Sequence, residues 1–145
     1  MSQDKDRIRR LDLTMHYAHP LGEIAPYFQG LEKGLAVAAR CPTCKRTWFP
    51  PRLLCPEHGR ATAWTELSGR GRIVGVSLSE TVLPFGAEKA RRAFLLVAMD
   101  GAENAAFGRL DGDPDSARVG MAVRLKRAEG DWPHPAQAAV FVIDR

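Results

Sequence analysis

The chain has 145 residues, 45% apolar and 26% charged, with a formal charge of +4. That length and balance suit one compact globular domain carrying at most a small stapled module, and no stretch approaches the roughly 20 apolar residues that a membrane-spanning helix needs. Residues 1 to 72 hold 12 Lys/Arg against 7 Asp/Glu, whereas residues 73 to 145 hold 9 against 10, so the basic excess is modest and confined to the front half. Strong nucleic-acid affinity is not implied.

Met1 to Arg10 are rich in Asp, Lys and Arg with no apolar run behind them, the opposite of a secretory signal, and a cytoplasmic location is expected. Residues 1–21 read as an extended arm that a partner surface would order. From Gly22 to Gly34, the residues Ile24, Tyr27, Phe28 and Leu31 follow helical spacing, with Gly30 and Gly34 as terminators, which predicts one short amphipathic helix.

Leu35 to Arg40 reads as a strand leading into Cys41. Cys41, Cys44, Cys55 and His58 then have the arrangement C-x2-C-x10-C-x2-H. Two tight turns of this kind let four side chains converge on one tetrahedral ion, and a shell filled by protein leaves no place for a catalytic water. A structural zinc is expected; His58 in place of a fourth cysteine disfavours a rubredoxin-type iron centre. Helix and ribbon together are assigned to residues 22–60.

Residues 61–145 change character. Ala63 to Leu67, Arg72 to Val82, Ala93 to Asp100, Ala105 to Leu110, Met121 to Arg127 and Ala138 to Ile143 are short strand-like runs between Gly-, Asp- and Pro-rich segments. Their number and short connections predict a mainly β fold that ends in an oligonucleotide/oligosaccharide-binding (OB) type barrel with a C-terminal extension, a sandwich being the alternative. Trp64 reads as core. Trp132-Pro133-His134-Pro135 reads as either a partner-facing segment or a seal on the barrel end.

The chain also resembles a known family. Tyr27-Phe28-Gln29-Gly30-Leu31, the ribbon with its internal Phe49-Pro50-Pro51-Arg52, and Trp64-Thr65-Glu66-Leu67-Ser68-Gly69-Arg70-Gly71 look like the acyl-CoA-associated OB-fold proteins that carry a rubredoxin-like zinc ribbon. The resemblance spans roughly residues 22 to 128, with His58 standing where that family commonly has cysteine. It implies a non-catalytic hetero-oligomeric subunit of lipid or aromatic-acid metabolism. Such subunits sit beside thiolases, hydroxymethylglutaryl-CoA synthases, steroid side-chain aldolases or MaoC-type hydratases, bridging them or contacting coenzyme A.

Catalytic residues are not evident. With three cysteines committed to the ribbon, no thiol remains to carry an acyl group, and His16, His19 and His134 belong to no recognisable triad. Phe49, Arg52, Arg70, Arg72, Phe85, Lys89, Arg91 and Arg92 are candidate contacts for the polyanionic end of an acyl-CoA thioester or for a partner. Their plainer readings are ribbon packing for Phe49, a barrel turn for Arg70 and Arg72, and a solvated loop for Lys89, Arg91 and Arg92. A single-stranded nucleic-acid-binding module is the alternative function; it would need exposed aromatics interleaved with cations, for which the strands offer mainly Phe94 and Phe107.

Overall fold

The computed structural model describes residues 7–82, 88–129 and 138–144. One helix, α1 (Ala25–Lys33), precedes eight strands: β1 (Ala36–Arg40), β2 (Thr47–Trp48), β3 (Ala63–Leu67), β4 (Arg70–Thr81), β5 (Ala90–Met99), β6 (Ala105–Leu110), β7 (Ala122–Lys126) and β8 (Val140–Ile143). Pro26 lies in the first turn of α1, where its missing N–H costs nothing. Gly34 ends the helix in a left-handed conformation, with hydrogen bonds from Gly34 N–H to Leu31 O and from Leu35 N–H to Gly30 O. The predicted face is the buried one: Tyr27 and Leu31 enter the core, with Ile24 and Phe28 against it.

The fold is mainly β and divides into two sheets. The first has the order β2-β1-β3; the second is a closed barrel in the order β4-β5-β6-β8-β7, with β7 returning to pair with β4. Only β6 and β8 run parallel within it, in the register Arg109↔Val140 and Leu110↔Phe141. Five strands closed in this way form the OB-type barrel, and closure removes the sandwich alternative.

Period-two alternation fills the barrel. Ala93, Leu95, Val97 and Met99 of β5 point inward, facing Ile73, Val123 and Phe141 from other strands, while the residues between them face out. The same cluster takes in Tyr27, Leu31, Ala36, Ala38 and Phe49, so helix, small sheet and barrel share one core. No helix among the described residues is long and apolar enough to cross a membrane.

Several expectations change here. Ala63–Leu67, read as part of the barrel half, pairs along its whole length with β1, from Ala36↔Leu67 to Arg40↔Ala63, and so completes the small sheet. The strands that close the barrel begin at Arg70. Arg70 and Arg72 lie in β4, opposite Arg124 and Ala122 of β7, not in a turn. Arg91 and Arg92 lie in β5, opposite Glu80 and Ser79, not in a loop. Trp64 is 40% exposed and is not core. Trp132, His134 and the rest of the Trp-Pro-His-Pro segment fall outside the described residues.

Candidate metal centre

The ribbon is built from two copies of one turn. In the first, Cys41 N–H donates to Arg46 O at 2.9 Å and Lys45 N–H to Cys41 O at 3.0 Å; in the second, Cys55 N–H donates to Arg60 O at 2.9 Å and Gly59 N–H to Cys55 O at 2.8 Å. Lys45 (φ 63°) and Gly59 (φ 60°) occupy the same left-handed position, four residues after each leading cysteine. Each turn aims its second ligand, Cys44 or His58, back toward the first. Arg46 of one turn forms an ion pair with Glu57 of the other.

The four predicted ligands converge. Sγ of Cys41, Cys44 and Cys55 and a ring nitrogen of His58 all lie within 4.8 Å of one another, close enough to bind a metal ion. Cys44 Sγ is 3.8 Å from Cys55 Sγ, while His58 Nδ1 is 3.3 Å from Cys55 Sγ and 3.9 Å from Cys41 Sγ. Tetrahedral zinc with Zn–S bonds of about 2.3 Å sets its sulfurs about 3.8 Å apart, so the donors stand near the corners of such a tetrahedron. Cys41 and Cys55 are buried with Trp48 in a small apolar cluster that Cys44 borders, whereas His58 is exposed.

Electrostatics treat the paired cysteines oppositely: burial and its sulfur neighbours push the Cys44 thiol up, whereas Cys41 is drawn down. The backbone N–H of Cys44, joined by that of Thr43, donates to Cys41 Sγ and outweighs burial, drawing its thiol down to about 6 from the ordinary 9.0. A thiolate is the form that binds metal. Four protein donors are the number that a tetrahedral ion takes.

The remaining candidates do not assemble into one place. Phe49, read as a contact for coenzyme A or a partner, is only 1% exposed and packs edge-on against Tyr27 with ring centroids 5.4 Å apart; burial withdraws it from any surface role. Arg70 and Arg72 stand at one end of β4, while Lys89, Arg91 and Arg92 stand beside the other. The eight residue steps from Arg72 to Glu80, which faces Arg91, span about 26 Å at the usual strand rise.

Each of these cations has a local partner. Arg70 pairs with Asp144 at 3.4 Å and Lys89 with Glu80 at 4.0 Å. Arg72 donates to Gly120 O at 3.1 Å, and Arg92 to the carbonyls of Thr81, Ala90 and Glu88. Arg91 grips Asp115 through two nitrogens at 2.8 and 3.1 Å, and that contact holds the Asp115 carboxyl below its ordinary range. Arg52 is exposed on the ribbon, and Phe85 lies outside the described residues.

One contact escaped the sequence reading, and the two aromatics it singled out prove to be paired. Asn104, in the β5–β6 connection, bonds the ribbon through Phe49 N–H and Pro50 O. Phe94 and Phe107 stack on each other at 5.7 Å on the outer barrel wall, beside exposed Leu96. Because the two rings cover each other, they offer one platform, where a run of bases needs several.

No family model matches the chain. It is 31% identical over 99 residues to a DUF35 domain-containing scaffold protein of Methanothermobacter thermautotrophicus, covering 64% of this chain and 74% of that protein. Among solved structures it is similar to a chain of the Ltp2–ChsH2(DUF35) aldolase, with 25% identity, a TM-score of 0.63 and coverage of 86% of this chain and 98% of that one. It also shares its fold with a DUF35-family protein of unknown function from Sulfolobus solfataricus, with 13% identity, a TM-score of 0.61 and coverage of 85% and 87%.

Proposed function

The chain belongs to the DUF35 family, the acyl-CoA-associated OB-fold family that its sequence resembles, and from that membership we propose that it is a non-catalytic accessory subunit of a thiolase-like enzyme. In that role it helps the complex assemble and hold its acyl-CoA substrate. The observation that carries the reading is the convergence of all three cysteines on one cluster. Every thiol of the chain is thereby committed to the ribbon, and the cysteine nucleophile of a thiolase-type acyl transfer would come from another chain.

Support also comes from the scaffold role named for the Methanothermobacter relative and from the aldolase assembly that contains the similar DUF35 chain. The ion in the ribbon is zinc in this reading, since three thiolates and an imidazole in a tetrahedral set suit it better than iron. Cys41, Cys44, Cys55 and His58 would hold it, and its contribution is to staple the two turns. Anionic groups of the substrate or partner would meet Arg52, the Arg70–Arg72 end of β4 or the Lys89–Arg92 end of β5, singly and not as one pocket.

The test is co-expression and co-purification of this chain with a thiolase-like enzyme of the same source, followed by thiolysis and condensation assays of the enzyme with and without the chain. Enzyme activity that requires both chains supports the reading. A chain that ignores the enzyme but retains a single-stranded oligonucleotide overturns it in favour of the nucleic-acid module.

A further inference from the structure

The arm before α1 carries a pattern that the rest of the fold leaves unused. Leu11, Leu13, Met15 and Tyr17 alternate with Asp12, Thr14 and His16 without interruption, the period of a strand with one face in a core and the other in water. Together with Ile8, these apolar side chains are between 71 and 86% exposed. Tyr17 stacks on His19 with centroids 5.6 Å apart, and Pro20, which has no N–H to give a ladder, ends the pattern.

Among the described residues no strand pairs with this segment, and the chain has little to offer it. The barrel is closed and has no edge; β2 has two residues, and β3 has five against the seven of 11–17. A strand cannot stand alone, because half its backbone groups and its whole apolar face need a sheet beside them. Arg7, Arg9 and Arg10 lie at its head against the one carboxylate of Asp12, which pairs with Arg10 at 2.9 Å, so residues 7–17 carry three cationic side chains to one anionic and are basic by composition.

We infer that residues 11–17 dock by β-addition: they extend an open sheet edge of the partner enzyme subunit, with Leu11, Leu13, Met15 and Tyr17 on an apolar trough beside that edge and Arg7–Arg10 against carboxylates at its rim. Main-chain hydrogen bonds give such a strand its grip, and alternate side chains give it specificity. This rests on the accessory-subunit reading and adds to it the element that makes the contact and the kind of surface that receives it.

The experiment uses the full chain and a thiolase-like enzyme of the same source. Amide exchange of the isotope-labelled chain is compared with and without the enzyme, and affinity is measured for the unaltered chain, for L13E/M15E and for T14E on the opposite face. Expected are slowed exchange at alternate amides across 11–17, at least about 100-fold weaker binding for L13E/M15E, and a change within about threefold for T14E. Unchanged zinc content and circular dichroism of L13E/M15E establish that the fold is intact.

If the unaltered chain and L13E/M15E bind alike, the arm inference is overturned and the accessory reading stands. Continuous protection across 11–17, as a helix would give, or arm-dependent self-association in place of enzyme binding, also overturns it. If the unaltered chain does not bind the enzyme at all, both fall together.

Discussion

Asn104 holds the Phe49–Pro50 dipeptide from both sides: its Oδ1 accepts Phe49 N–H at 2.8 Å and its Nδ2 donates to Pro50 O at 2.9 Å. One amide therefore clips the ribbon to the turn between β5 and β6, and the neighbouring Glu103 N–H reinforces it by donating to Thr47 O at 2.8 Å. The joint is polar at its rim and apolar behind, where Phe49 meets Tyr27.

Replacing Asn104 by Ala strands the Phe49 N–H beside a buried ring. A buried donor left unmet costs about 2 kcal/mol, and urea denaturation of the zinc-loaded protein should report a loss of that size. Zinc content should not change, since no ligand is touched.

Cys55→Ser removes a buried ligand and should abolish stoichiometric zinc, read by elemental analysis of the purified chain. His58→Cys should retain the metal, because it supplies a fourth thiolate at the same convergent position. Loss of zinc in His58→Cys would count against the tetrahedral geometry.

Acid should release the metal. The folded chain favours the Cys41 thiolate, with its thiol at about 6 against an ordinary 9.0, so this contribution is fully present above pH 9 and is lost as pH falls through about 6. Protons compete with zinc for the three thiolates and the imidazole, so a chromophoric chelator should register rising zinc release as the protein is acidified and little between pH 7 and 9.

The matched positions Lys45 and Gly59 make opposite predictions. Lys45→Gly relieves a left-handed side chain and should stabilise the loaded ribbon by about 0.5 to 1 kcal/mol after the entropy cost of glycine. Gly59→Val should destabilise it by about 1 to 2 kcal/mol. Chelator-challenge kinetics would check both.

In the barrel, a Cβ on Gly108 would lie 2.6 Å from Ala139 O and 2.6 Å from the Phe141 ring. Gly108→Ala should therefore separate β6 from β8 at their parallel crossing and cost about 3 kcal/mol, the upper part of the overpacking range. Thermal melting followed at the far-ultraviolet strand signal would measure it.

What could be read from the sequence was local. The ligand spacing dictates the two turns because each closes within a few residues, and α1 announces its face through the placement of Tyr27 and Leu31. Partner choice between distant strands has no such signature: nothing in Ala63–Leu67 says that its neighbour is β1, twenty-odd residues earlier, and not the barrel that follows. Arg70 reads as a turn residue between Gly69 and Gly71, and Arg91 and Arg92 as part of the loop that holds Pro84, yet an outer barrel face accepts a cation wherever the inward neighbour is apolar. Trp48 and Phe49 are consecutive aromatics, and only the folded chain reveals that one seals the cysteines and the other the barrel.

That division between Trp48 and Phe49 sets how the molecule meets metal scarcity. The tip beyond Trp48 is held by its ion and a small cluster of its own, while everything from Phe49 inward is held by the common core. A chain stripped of zinc would fray at the tip and keep its barrel.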